Sequence, residues 1–231
     1  MRLAALEAHR IWAPTYDEQP NPLLALETRV LLPYIRTFFA STRFRAATVR
    51  QRFFLDIACG TGRWMLEAYK LGAAVLGVDA CSEMLVRARQ KPALSNRVVP
   101  ADAAFLPLAS AIADVTLCAF AASYFSDLGR AIAEMARITR AGGVVIISDM
   151  HPAAESASWS RGFQSCEIEH QRRTVTELCA SARHAGLQFK RQLEAPFGEP
   201  ERAIFRQAGK EHIFAKVSAI PAVWIGIWTK P

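Results

Sequence analysis

The sequence predicts an α/β fold, a mostly parallel sheet with helices on both faces. Three observations carry that expectation. Apolar, strand-like runs alternate with amphipathic helical runs over residues 51–150. The runs FFLDIA and GGVVIISDM are apolar almost throughout, as strands covered on both faces must be. The first of them breaks into a glycine turn, ACGTGR, just before a helix.

The first 50 or so residues read as two helical pieces around the turn-rich APTYDEQPNP, and LLALETRVLLPYI repeats its apolar residues at helical spacing. They form an appendage to the core. FFLDIA is the first strand, followed by a helix from Arg63 to Leu71 that stops at Gly72. AAVLGVDA is the second strand, a helix from Ser82 to about Gln90 follows, and NRVVPADAA holds the third. ADVTLCAFAAS, a helix around LGRAIAEMARIT and the strand GGVVIISDM complete the alternation. Beyond Met150 the rhythm changes to a polar stretch, a helix from Thr174 to about His184, and two strands, GLQFKRQLEA and AVWIGIWT, separated by a helical segment. Thr174 and Glu177 stand at capping-box spacing, which fixes the start of that helix.

Composition narrows the setting. The five cysteines (Cys59, Cys81, Cys118, Cys166, Cys179) form no C-x-x-C pair and none stands at metal-ligand spacing from His9, His151, His170, His184 or His212. A reducing compartment and no zinc are expected. Charges interrupt the N-terminal apolar residues too early for a signal-peptide core, and no stretch approaches about 18 uncharged apolar residues. The expectation is a cytoplasmic protein without a membrane span. The net charge of +7 comes from basic residues spread along the chain. The densest basic stretch, Ser41 to Arg52, reads as a solvated helix face or linker, and no aromatic-rich nucleic-acid motif accompanies it.

Open parallel sheets bind ligands outside the carboxyl ends of their strands. Asp56 ends the first strand, Gly60 and Gly62 let the backbone turn and approach a ligand, and Arg63 opens a helix whose N–H groups face the site. Asp79 closes the second strand about twenty residues on, where a carboxylate accepts from ribose hydroxyls, and Asp102 ends the third. Three acids at three strand ends suit a ligand with a cationic or amine-rich outline. A dinucleotide fingerprint wants a third glycine where Met65 stands, and an anionic pyrophosphate would sit badly beside Asp56.

DIACGTGR, GVDACSEML, ADAAFLPL, ADVTLCAFAAS and ITRAGGVVIISD resemble, in order and spacing, the successive motifs of class I S-adenosylmethionine-dependent methyltransferases. The nearest group is the one that includes the ubiquinone and menaquinone methyltransferases. The resemblance spans roughly Phe53 to Met150. It implies a Rossmann-like, seven-stranded sheet with an antiparallel last strand, and a single domain: residues 1–50 as a helical cap, 51–150 as the cofactor core and 151–231 as the substrate side with the C-terminal strands. It also implies S-adenosylmethionine as cofactor and S-adenosylhomocysteine as product. By position, Asp56, Ala58, Cys59, Gly60, Thr61 and Gly62 would line the methionine end and Asp79 would hold the ribose. Ala80 and Met84 would pack around the nucleoside. Asp102 would accept from the adenine amino group, with the N–H of Ala103 meeting the ring. Ala119 and Phe120 would flank the sulfonium, and Tyr16 would stand near the methionine end.

The chain departs from the family where Cys81 replaces a helix-capping serine, leaving Ser82 or Asp79 to cap, and where Ala141 replaces a proline. The acid pair followed by asparagine of the metal-dependent catechol methyltransferases is missing, since Asp149 precedes Met150 and His151, so no catalytic metal is expected. Methyl transfer asks the protein for alignment, exclusion of water and, for a hydroxyl acceptor, a base. His151, in SDMHP beyond the fifth strand, is the candidate base, and a histidine capping a turn before Pro152 is the plain alternative. Tyr124 is the candidate substrate contact, or else an aromatic lid residue. His170, His184 and His212 receive no role. The partner expected is a small-molecule acceptor, oxygen slightly ahead of carbon or nitrogen. Its pocket would come from the N-terminal 50 residues, from His151 to Arg173, and from the insertion between Phe197 and Ile220. Phe205, Phe214 and Val217 of that insertion would face an apolar acceptor or, as their spacing favours, pack on the sheet. An RNA or tRNA methyltransferase and a non-catalytic cofactor-binding protein are the rival readings. Oligomeric state is not legible, although the N-terminal helices offer a surface for a homodimer.

Overall fold

The computed structural model describes residues 2–40, 51–156, 162–163 and 166–231. Seven strands make one sheet: β1 (Phe53–Ile57), β2 (Ala74–Asp79), β3 (Val98–Pro100), β4 (Ala113–Ala119), β5 (Thr139–Met150), β6 (Gln188–Ala195) and β7 (Val223–Thr229). Their spatial order is β3-β2-β1-β4-β5-β7-β6. β7 runs antiparallel to both its neighbours, while the pairs from β3 to β5 are parallel. This is the Rossmann-like architecture the sequence predicts. The strand order reverses beside β1, which puts the crevice at the carboxyl ends of β1 and β4.

The two faces explain the apolar strands. Phe54, Val75, Val115, Val144 and Ile146 point to one side, against α2 (Pro22–Ala40), α3 (Arg63–Lys70) and α4 (Ser82–Arg89). Their sequence neighbours Leu55, Val145 and Ile147 point to the other, against α5 (Leu128–Ile138) and α7 (Val175–His184). With period two and both faces covered, alternation between apolar and polar disappears. Each such buried side chain contributes about 1.5–3 kcal/mol relative to exposure. The helices start where the sequence says they should. Asp127 caps α5 by accepting the Arg130 N–H at 2.8 Å, and Thr174 and Glu177 cap α7 reciprocally, at 3.1 and 2.7 Å.

The N-terminal segment consists of α1 (Ala5–Trp12), a 3₁₀ turn (Ala13–Glu18) and α2. Arg2–Leu3 pairs in parallel with Cys166–Ile168, which pairs antiparallel with Gly162–Phe163, so a small second sheet ties the N-terminal segment to the chain beyond β5. The sequence reads that stretch only as polar. A short α6 (Pro152–Ser156) follows β5, and the insertion before β7 carries α8 (Glu199–Gln207) and α9 (Phe214–Val217). Its Phe205, Phe214 and Val217 are buried, with Phe197 edge-on to Phe205 at 4.8 Å and Phe205 to Phe214 at 5.4 Å. They belong to the core beside α2 and do not face an acceptor.

Two details differ from the sequence reading. β5 begins at Thr139, three residues before GGVVIISDM, because the pairing with β4 shifts between Ala113 and Val115 and the extra residues turn through Gly142 at φ +71°. The basic stretch from Ser41 lies, through residue 50, outside the described residues. The outer strand β6 is exposed over Gln188–Gln192 and carries Lys190, Arg191 and Glu194. Among the described residues no helix is long and apolar enough to cross a membrane.

Candidate functional site

The glycine turn after β1 is shaped by backbone that an ordinary side chain resists. Ala58, Gly60 and Gly62 have φ of +55°, +54° and +83°, and across the crevice Phe120, just past β4, has φ +54°. Such conformations cost non-glycine residues about 1–3 kcal/mol and cluster where a fold holds a ligand. Gly60 has open space where a Cβ would stand, whereas a Cβ on Gly62 would come within 2.4 Å of Leu94. Gly62 is therefore needed for packing, and Gly60 for access.

Asp79 braces the turn from the next strand. Its Oδ2 accepts the Gly60 N–H and its Oδ1 the Cys81 N–H, both at 2.7 Å. Asp79 thus fixes the backbone that leads into α4, but it accepts from Cys81 and not from the helix's own first turn, and Cys81 makes no side-chain cap. Each carboxylate oxygen keeps a second lone pair for a hydroxyl donor. Burial raises the Asp79 pKa, opposed by the N–H groups of Cys81 and Gly60. Asp56 is the contrasting acid. It is 2% exposed, its Oδ1 has no hydrogen-bond partner, and burial raises its pKa well above the usual carboxylate value against the pull of the Arg63 guanidinium. An orphaned buried acceptor is costly unless a donor arrives.

These groups surround one cavity of about 250 Å³. Asp56, Ala58, Cys59, Gly60, Thr61, Asp79, Ala80, Met84, Asp102, Ala103, Ala119 and Phe120 all line it, as do Tyr16 and Tyr124. Gly62 does not, for the packing reason above. Asp102 sits at its rim, with Oδ1 accepting the Ala104 N–H at 2.8 Å. His151 is placed elsewhere. Its Nδ1 accepts the Ala153 N–H at 3.1 Å and its Nε2 lies 3.5 Å from Glu194 on β6, so it caps the turn after β5 instead of facing the cavity. The segment from His151 to Arg173 contributes no lining residue among those described.

The N-terminal segment covers the cavity. Leu6 and His9 of α1, Tyr16 of the 3₁₀ turn and Leu24 of α2 reach into it. His9 donates Nδ1–H to the Ala5 carbonyl at 2.7 Å, so neutral His9 carries its lone pair on Nε2. Its ring meets Tyr124 edge-on at 5.3 Å. Burial pushes the Tyr16 hydroxyl up to about 12. Thr61 Oγ donates to Asp17 at 2.6 Å, and Lys91 bridges the Asp17 carboxylate and the Thr61 carbonyl at 2.7 and 2.6 Å, clamping the cover to the glycine turn. Beneath it, the fully buried Glu27 of α2 accepts from Arg63, from Trp64 Nε1 at 2.9 Å and from Ser148 of β5. Sequence reasoning missed His9, Glu27 and the Arg63 side chain. The spacing of His9, Trp12 and Tyr16, at helical intervals of three and four, was the available signal for the first.

The donor set fits an S-adenosylmethionine-type ligand. An unpartnered buried carboxylate suits an ammonium, a braced carboxylate suits a diol, and left-handed backbone at Gly60 leaves room for close approach. No described trio of His, Cys, Asp or Glu is placed to hold a metal ion.

Comparison with known proteins points the same way. A family described as "Methyltransferase domain" matches residues 55–147. Demethylmenaquinone methyltransferase of Deinococcus radiodurans is 31% identical over 223 residues, 93% of this chain and 88% of that protein. Malonyl-[acyl-carrier protein] O-methyltransferase of Pectobacterium atrosepticum is 32% identical over 139 residues, 58% of this chain, and the match spans about half (54%) of that protein's length. Among solved structures, the [4+2]-cyclase SpnF superposes with a TM-score of 0.59 at 19% identity, covering 85% of this chain and 81% of its own, a likeness of fold alone.

Proposed function

Because this chain belongs to the class I S-adenosylmethionine-dependent methyltransferases, we propose that it transfers the methyl group of that cofactor to a small-molecule acceptor. The observation that carries the reading is the orphaned Asp56 carboxylate, set below a glycine turn and beside the braced Asp79 in one cavity. When bound, the cofactor supplies a methyl group already activated on sulfur. Asp56 accepts from the amino group of its methionine part, and Asp79 takes the ribose hydroxyls without releasing Gly60 or Cys81. Asp102 and the N–H of Ala103 meet the adenine edge, Met84 and Ala80 pack on the nucleoside, and Ala119 and Phe120 flank the reacting atoms. Leu6, Tyr16 and Leu24 exclude water from above.

The finer reading assigns the acceptor atom to oxygen. A hydroxyl acceptor needs a proton acceptor within reach, and His9 Nε2, with Tyr124 against its ring, is the cavity group suited to that task, whereas His151 faces Glu194. The relatives differ on this point: one is named for an oxygen acceptor and the other for demethylmenaquinone. Calorimetric titration with S-adenosylmethionine, S-adenosylhomocysteine and NADH tests the cofactor reading. Micromolar-range binding of the first two and none of NADH is expected. Binding of NADH alone would overturn it. Methyl transfer from labelled cofactor across hydroxyl, amine and carbon acceptors then separates the acceptor atoms.

A further inference from the structure

The geometry points to Arg63 as the residue that holds the carboxylate of the cofactor's methionine part, an assignment that rests on the cofactor reading above. An amino-acid end carries two opposite charges, and the buried carboxylate of Asp56 matches only the ammonium. Arg63 lines the same cavity, and its guanidinium is the strongest charge acting against the burial of both Asp56 and Tyr16, so all three gather at one end.

The guanidinium is held for the task. Its Nη2 donates to Glu27, its Nη1 donates to Thr28 Oγ at 2.8 Å, and its plane lies over the Trp64 ring at 4.8 Å. Thr28 Oγ in turn donates to the Leu24 carbonyl at 2.7 Å, which leaves it an acceptor toward Arg63. Those bonds use two of the five guanidinium donors, and the rest remain for a planar carboxylate. Arg63 is also the first residue of the eight-residue α3, where the helix N-terminus adds a favourable field for an anion. Fixing the carboxylate beside the ammonium anchors the ligand at two points, which limits where its reacting carbon can stand.

The test compares two ligands on two proteins: S-adenosylhomocysteine and its decarboxylated analogue, titrated calorimetrically against the parent and Arg63→Met. Removing Arg63 strands the buried Glu27, so the double variant Arg63→Met with Glu27→Gln is measured beside it. The parent is expected to prefer the carboxylate-bearing ligand by about ten- to a hundredfold, as charge-assisted hydrogen bonds do, and both variants to lose that preference. Equal weakening of both ligands, with the preference intact, would overturn this assignment alone. Failure of S-adenosylhomocysteine to bind the parent would overturn the cofactor reading together with it.

Discussion

The glycine turn and the N-terminal cover face each other across one cavity, yet different physics holds them. The turn is fixed by a parallel sheet with both faces packed, by left-handed backbone at Ala58, Gly60 and Gly62, and by one carboxylate that ties two backbone N–H groups. In the cover, α2 packs into the same core through Leu26, Leu31 and Ile35, while α1 and the 3₁₀ turn are also joined to the rim by charges: Asp17 to Lys91, Arg10 to Glu83 at 3.1 Å and Glu18 to Arg87 at 3.6 Å. The turn therefore depends on backbone conformation and one buried carboxylate, whereas the outer part of the cover adds ion pairs that contribute about 0.2–1 kcal/mol each where exposed.

Substitutions can break that contrast or sharpen it. The largest effect is expected from Glu27→Ala, which leaves Trp64 Nε1, Ser148 and a partly exposed Arg63 without their acceptor. A loss of about 3 kcal/mol in urea denaturation is the expected result, and a loss below about 1 kcal/mol would mean that the cover's joint is not at Glu27. Asp79→Ala should come next, with S-adenosylhomocysteine bound some 30- to 100-fold more weakly in calorimetry, since a charged acceptor of two N–H groups and the ribose is gone.

Asp56 gives a pH signature. A carboxylate whose folded pKa lies above its unfolded value contributes stability that is present below about pH 4 and is lost as pH rises through the folded pKa. Asp56→Asn cannot ionise, so without cofactor its stability should gain progressively on the parent's as pH rises from about 4 to about 8. A constant difference across that range would remove Asp56 as a strained acid. Asp17→Asn should weaken S-adenosylhomocysteine only about two- to threefold and flatten its salt dependence, as exposed pairs are worth about 0.2–1 kcal/mol. The smallest effect belongs to His151→Ala, for which turnover and cofactor affinity should stay within about twofold. A tenfold loss of turnover would restore the histidine to the reaction.

What the sequence reveals follows the same division. FFLDIACGTGR reads correctly because apolar runs, an acid and glycines are local signals of a buried strand and a tight turn. Glu27 reads as one more polar residue on an amphipathic helix, since Arg63, Trp64 and Ser148 lie 36, 37 and 121 residues away. His151 follows a strand end, and sequence places it in the crevice. The antiparallel β7 brings β6 and its Glu194 alongside, and that long-range neighbour, with the Ala153 N–H, turns the ring aside. Phe205 shows the converse, since its helical spacing already favoured packing over ligand contact.

The strand that reverses the sheet also decides how its rim meets a second chain. At one rim β3 is three residues long, too short to template much pairing. At the other, β6 offers a longer open ladder, but it presents Lys190 and Arg191 next to the exposed Phe189. Two such rims brought together would set like charges against each other, which disfavours edge-to-edge polymerisation. The Lys190 and Arg191 charges thus count against self-pairing at the rim farthest from β3.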